Sequence, residues 1–144
     1  MILPDINILI HAHNSESPKH DAAREWWDHA LAGSEGVGLP WVTLLGFIRI
    51  ATHRGILRNP MSQADACSRI AEWLELPHVH IPVPASDHFA RLRARLQGLG
   101  TAGNLTTDAH LATLAIERGY TLCTTDMDFG RFPGLRWVNP LSPS

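Results

Sequence analysis

The chain opens on an apolar run, Met1 to Leu3 with Ile6 and Ile8 beyond it, broken by one carboxylate, Asp5. The pattern predicts a short buried strand running straight into a helix, with Asp5 at the carboxyl end of the strand. After Ser17-Pro18 a helix is expected, because Ala22, Ala23, Trp26, Trp27 and Ala30 recur at helical spacing before Gly33 and Gly36. Val37 to Leu39 predicts a second strand, and Pro40 opens a further helix, WVTLLGFIRIAT, broken near Gly55. Ser62 is placed to cap the next helix, with Ala66, Ile70, Trp73 and Leu74 inward. Pro77 stops it. Val79 and Ile81 predict a third strand, with His78 and His80 on its other face. Ser86 is expected to cap a helix that turns Phe89, Leu92 and Leu96 inward, and Gly98 to Gly103 reads as a flexible loop. Thr106 or Thr107 would cap a last helix, with the stripe Ala109, Ala112, Leu114 and Ala115, ended by Gly119. Thr121 to Cys123 predicts a fourth strand and Arg136 to Val138 a fifth, before a frayed tail, PLSPS.

Strands alternate with helices throughout. That order predicts an α/β fold with a parallel sheet of four to five short strands covered on both faces. A length of 144 residues suits one domain, spanning 1–144. No apolar run approaches the roughly 20 residues of a membrane span. The N-terminus lacks a basic stretch ahead of its apolar run, so no signal peptide is read there. Cys67 and Cys123 both fall in apolar patterns, which predicts reduced, buried thiols and a cytoplasmic protein. The net charge of -2 gives no general attraction for a polyanion, so any contact with nucleic acid needs a local basic patch. Lys19 is the only lysine, and arginine, the dominant cation, suits bidentate phosphate contacts.

The acids carry the chemistry. In an open parallel sheet, ligands bind beyond the carboxyl ends of the strands. Asp5 follows the first strand; Asp126 and Asp128, in TTDMDF, follow the fourth; Asp108 lies in the first turn of the helix leading to it. Taken singly, Asp108 is accounted for by the helix dipole, and Asp126 and Asp128 by turn formation. Asp5 is harder to explain that way, because it interrupts an apolar junction. Together the four suit a hard divalent cation, Mg2+ or Mn2+, which prefers oxygen ligands and keeps several waters. Such a centre fits phosphodiester hydrolysis. Asp5, Asp108 and Asp126 are the expected ligands, directly or through water, with Asp128 a further ligand or bonded outside them.

The stretches LPDINIL and TTDAHLATLAIERGYTLCTTDMDFGRF, with the helix pattern between them, resemble PIN-domain nucleases, in particular VapC-type toxins of type II toxin–antitoxin pairs. The resemblance covers nearly the whole chain. It implies a three-layer α/β/α sandwich and a Mg2+- or Mn2+-dependent endoribonuclease acting on RNA. It also implies an antitoxin that occludes the site, and a homodimer. Carried over by position, Asp5, Asp108 and Asp126 are the acidic site residues and Asp128 accompanies them. Asn7 and Thr124 are supporting polar groups, and Phe129 belongs to the core. One departure stands out: where many members carry a glutamate three positions before an arginine, this chain has Gly46 before Arg49. Glycine supplies no ligand, so a catalytically weak or inactive domain that binds RNA or a partner protein is the alternative. A Mg2+-dependent phosphatase is a third reading, but Asp5 is followed by Ile6-Asn7-Ile8, without a second acid.

Arg49 and His53, one helical turn apart, are the preferred phosphate contacts, with Arg131 beside Asp128. Arg54 and Arg58 lie near the first pair. Arg91, Arg93 and Arg95 read as a solvated helix face, because their i, i+2, i+4 spacing spreads them around the helix. The H-x-H pairs His11/His13 and His78/His80, and His20, read as structural or surface groups, lacking a cysteine or a third spaced histidine. Trp26 and Trp27 are adjacent, so they cannot both face one core.

Overall fold

The first apolar run forms a strand, β1 (Ile2–Pro4), and its alternation decides the layering. Ile2 packs against one core and Leu3 lies in the other, on the opposite side of the sheet. A computed structural model describes residues 1–100 and 103–142. The remaining strands are β2 (Val37–Gly38), β3 (Val79–His80), β4 (Thr121–Cys123) and β5 (Trp137–Val138), and the spatial order is β3-β2-β1-β4-β5. Every pairing is parallel: Ile2 lies opposite Val37 on one side and Thr121 on the other, and Leu122 lies opposite Trp137. Helices α1 (Ile6–His13), α2 (His20–Ala32), α3 (Trp41–Ala51) and α4 (Gln63–Leu74) build the core on one face around Phe47, Trp27 and Trp73. On the other face α6 (Thr106–Arg118) packs with Leu3, Leu122 and Phe129, and α5 (His88–Leu99) adds Leu92, Leu96 and Leu99. The result is a three-layer α/β/α sandwich around a five-stranded parallel sheet.

The strand order reverses at β1. The chain builds leftwards through β2 and β3, then crosses to β4 and β5 on the other side. Open parallel sheets bind ligands in the crevice at such a reversal. Asp5 and Thr124 emerge there, each one residue beyond its strand.

Several local expectations differ in instructive ways. Phe89 shares the helical stripe of Leu92, Leu96 and Leu99, yet it is 70% exposed: it sits in the first turn of α5, outside the cluster those leucines join. Asp87, not Ser86, precedes α5, and makes no side-chain cap. Neither Thr106 nor Thr107 caps α6: a 3-10 turn, Gly103–Leu105, feeds directly into it, and the Thr106 hydroxyl donates to the Gly103 carbonyl at 3.0 Å. Ser62 does cap α4, its Oγ accepting from the Asp65 amide at 3.1 Å. Gly98 and Leu99 continue α5 rather than starting the expected loop, while Thr101 and Ala102 of that loop, and Pro143 and Ser144 of the tail, lie outside the described residues. Cys123 is buried, but Cys67 is exposed on α4, and both thiols are free. Among the described residues no helix is long and apolar enough to cross a membrane.

Candidate functional site

Asp5 is fixed from three directions. Its amide donates to the Cys123 carbonyl at 2.9 Å, which ties the end of β1 to the end of β4. Its side chain caps α1, with Oδ1 accepting from the Ile6 amide at 2.8 Å. Its other oxygen, Oδ2, accepts from the Thr124 hydroxyl at 2.9 Å. Only 6% of the residue is exposed, so the carboxylate depends on those partners for its solvation. Burial pushes its pKa up, the bonds from Thr124 and Ile6 oppose that, and the charge of Asp126 adds to it.

Thr124 is fully buried and acts in both senses that a hydroxyl allows. While donating to Asp5, its Oγ1 accepts from the Asp126 amide at 3.0 Å. Asp126 then begins the 3-10 turn Met127–Arg131, with Oδ1 accepting from the Asp128 amide at 2.9 Å. Arg131 closes the turn: Nε donates to the Asp128 carbonyl at 3.1 Å, and Nη2 lies 3.4 Å from Oδ1 of Asp128. Phe129, wholly buried, anchors the turn in the core. One hydrogen-bonded chain thus runs from Asp5 through Thr124 and Asp126 to Asp128 and Arg131. The two aspartates of TTDMDF are turn-forming residues, and the same turn places them beside a buried carboxylate.

Asp108 approaches from α6, half-buried in its first turn. Its pKa is pushed up to about 6, first by burial and then by the negative charges of Asp5, Asp126 and Asp128, with Arg131 opposing. The four acids therefore feel one another, and a single arginine does not neutralise them. An all-carboxylate donor set at a crevice is the chemistry of a hard cation that keeps part of its water. Among the described residues no three His, Cys, Asp or Glu side chains already close around one point, so an ion here would rely on bridging water or side-chain adjustment. Asn7 stands exposed in the first turn of α1, two residues beyond Asp5.

Gly46 is buried on α3 and faces Ile6. A Cβ built on it would lie 2.5 Å from Ile6 Cδ1 and 3.2 Å from Cγ1. The Ile6 side chain fills the space that a longer residue at 46 would take. The sequence reveals the missing acid but carries no signal that its neighbour on α1 replaces it with hydrocarbon.

Arg49 and His53 are exposed near the carboxyl end of α3, away from the helix start that adjoins the site. The His53 ring accepts from the Gly55 amide at 2.9 Å. The paired histidines make structural contacts: His11 to Ser17 Oγ, His13 to the Leu9 carbonyl, His20 to the His11 carbonyl, His78 to the Ala30 carbonyl and His80 to the Tyr120 hydroxyl. Contrary to expectation, Trp26 and Trp27 share one core: Trp27 is buried in it, and the half-buried Trp26 packs on the same cluster, its ring stacked on that of Trp27 at 6.1 Å. Two groupings escaped the sequence reading. His88, His110 and the buried Glu117 form a hydrogen-bonded row between α5 and α6, with both links at 2.8 Å. Arg91 and Arg95, four apart, share a face of α5 that lines a cavity with Arg131; their spacing was the available signal.

Known proteins bear on this arrangement. The signature of the PIN domain matches residues 2–135. Ribonuclease VapC37 of Mycobacterium tuberculosis is 40% identical over 140 residues, covering 97% of each chain. Ribonuclease VapC33 of the same species is 40% identical over 141 residues, covering 98% of this chain and 99% of its own. Among solved structures, VapBC2 from Rickettsia felis bound to a DNA fragment from its promoter superposes with a TM-score of 0.65 at 19% identity, covering 96% of this chain and 98% of that one. A toxin–antitoxin complex from Klebsiella pneumoniae gives 0.60 at 21% identity, covering 97% and 98%. At those identities the structures speak for the fold, and the sequence relatives for the family.

Proposed function

The chain belongs to the PIN-domain family and is related to ribonuclease toxins, and from that premise we propose that it is a metal-dependent endoribonuclease toxin that hydrolyses RNA phosphodiester bonds and is neutralised by a cognate antitoxin. The observation that carries this reading is the buried carboxylate of Asp5, bonded through Thr124 to Asp126 and sharing its field with Asp108. Asp5, Asp108 and Asp126 would hold Mg2+ or Mn2+, directly or through water, with Asp128 beside them. When bound, the ion supplies charge for the phosphate oxygens and lowers the pKa of a coordinated water.

The protein's own groups do the positioning. Thr124 and the start of α1 hold Asp5 in one orientation, each carboxylate oxygen accepting one hydrogen bond. Asp126 and Asp128 are held by the 3-10 turn that they build. Asp108, its pKa raised to about 6 first by burial and then by the neighbouring acids, is ionised at neutral pH and would offer its charge to the ion. Hydrolysis then consumes one water: its oxygen forms the new bond to phosphorus, one ester bond breaks, and the departing oxygen is protonated. Asn7 and Thr124 support the acids; Arg49, His53 and Arg131 are the proposed contacts to RNA. Pairing into a homodimer and a cytoplasmic location complete the reading.

A second reading rests on Gly46. With Ile6 packed over a glycine, α3 offers no carboxylate at that position, so a weakly active or inactive domain that holds RNA or a partner is the alternative. Induced expression in a bacterium separates the two. An active toxin arrests growth, RNA 5′-end mapping then finds new ends, and Asp5→Asn removes both effects. Growth and RNA ends unchanged by the native chain would favour the binding-only reading.

A further inference from the structure

Next to the acidic crevice, a cavity of about 530 Å³ opens between α5 and the segment after the 3-10 turn. Its charged lining groups are all arginines: Arg91 and Arg95 from α5, and Arg131. The rest of its wall includes Leu99 and Pro133, an apolar surface backed by Phe132, which is itself buried in the core. Gly98 also lines it, and a Cβ there would meet nothing within 4 Å. Arg91 is paired with Asp87 at 2.8 Å, but both side chains are about half exposed, so the pair exchanges easily. Arg95 is half-buried and, among the described residues, has no carboxylate partner; Nη1 donates to the Thr113 hydroxyl at 3.3 Å. Arg131 touches Asp128 on the crevice side and the cavity on the other, so the two spaces are joined through one guanidinium.

Cations on one wall and hydrocarbon on another match a nucleotide, which carries a phosphate and a flat apolar base. We propose that this cavity is a nucleotide subsite, binding one unit of a single-stranded RNA whose neighbouring phosphate lies at the acids. Arg95 and Arg91 would receive the phosphate, and the Leu99 and Pro133 surface the base. The inference rests on the ribonuclease reading and gives it a path for the strand. It also explains how a chain of net charge -2 can attract RNA beside its own acidic crevice: three guanidiniums are concentrated where the strand leaves it.

The test measures binding without cleavage. Fluorescence anisotropy of a short labelled single-stranded RNA is followed with the Asp5→Asn protein in EDTA across a salt series. Adding Arg95→Gln should weaken binding about fivefold and lower the slope of log affinity against log salt by about 0.7, one phosphate contact on single-stranded nucleic acid. Gly98→Leu, which keeps every charge but adds bulk to the cavity wall, should weaken binding with the slope unchanged. Arg93→Gln, on the same helix outside the cavity, should alter neither quantity. Thr113→Val removes the helix–helix hydrogen bond while leaving the Arg95 charge, and should leave the slope intact. The proposal is overturned if Arg95→Gln leaves affinity and slope unchanged, or if Thr113→Val reproduces its effect, which would make Arg95 a packing residue. Displacement of the RNA by poly-aspartate as readily as by unlabelled RNA would also overturn it, since that occupant needs no base. Cleavage by the native chain, with binding indifferent to Arg95, sinks this inference alone. Absence of both binding and cleavage sinks the ribonuclease reading with it.

Discussion

Replacing Asp108 by asparagine keeps the shape of the side chain and removes one negative charge from the crowded rim of the sheet. Asp108 has a pKa of about 6 against an ordinary 3.8, and no side-chain hydrogen bond to lose among the described residues. A carboxyl displaced that far is disfavoured in its charged form by about 3 kcal/mol before screening. The group is half-exposed, so solvent reduces this to about 1 kcal/mol. The sign follows from the raised value. The folded state gains most when Asp108 is protonated, below the unfolded pKa of 3.8, and loses that gain as pH rises to about 6. Asp5, also raised, acts in the same direction and keeps part of the pH dependence in the variant. In metal-free buffer above pH 7, Asp108→Asn should therefore melt about 3 °C higher than the native chain, with the difference vanishing as pH falls towards 4. Saturating Mg2+ should reverse the order. Ligand present at about a hundredfold excess over its Kd stabilises by about 2.7 kcal/mol, and the variant would bind it less well. Differential scanning fluorimetry across pH, with EDTA or with Mg2+, reads all four conditions. A variant that melts lower in EDTA at neutral pH, or that gains as much from Mg2+ as the native chain, would refute the reasoning.

Thr124→Val removes the hydroxyl that serves both Asp5 and Asp126, and should cost about 2 kcal/mol in a denaturant titration because two groups lose their partner in a buried site. Gly46→Glu should destabilise by about 2 kcal/mol through collision with Ile6, and adding Ile6→Ala should recover at least half of that; the double variant, with a fifth carboxylate at the crevice, should also show tighter Mn2+ binding by calorimetry. Glu117→Ala should cost about 2 kcal/mol, since the carboxylate accepts from the Ala85 amide at 3.0 Å and bonds His88 at 2.8 Å, and amide exchange should rise first in α5.

The sheet and its order of helices were legible because each element announces itself: short apolar runs, helical stripes, and Gly or Pro between them. Asp5 could be singled out from sequence, since a lone carboxylate inside an apolar run needs partners. Those partners could not be read. Thr124 lies 119 positions away, and its bond to Asp5 exists because β1 and β4 are neighbours in the sheet. Phe89 lies on the leucine stripe of α5, but periodicity does not say how far along the helix the opposing surface extends, and at the first turn nothing among the described residues covers it. Ser86, Thr106 and Thr107 were plausible caps, but the backbone entering α5 and α6 is already turned, so no extended residue precedes the helix to present a capping side chain. Cys67 falls in an apolar pattern that suggests burial, yet each residue of a helix turns by about 100°, which carries it from the buried side of α4 at Ala66 to solvent. The arginines of α5 show the same limit from the other side. Their spread around the helix argued for solvent, and only the packing of α5 beside Pro133 gives two of them a cavity to line.

The central claim is that acids brought together by β1, β4 and α6 hold a divalent ion for RNA hydrolysis. It is met most directly by incubating the purified native chain and its Asp5→Asn variant with RNA, in Mg2+ and in EDTA, and mapping the 5′ ends. The account predicts discrete new ends only for the native chain with Mg2+. Cleavage at the same positions by the variant, or by the native chain in EDTA, would contradict it.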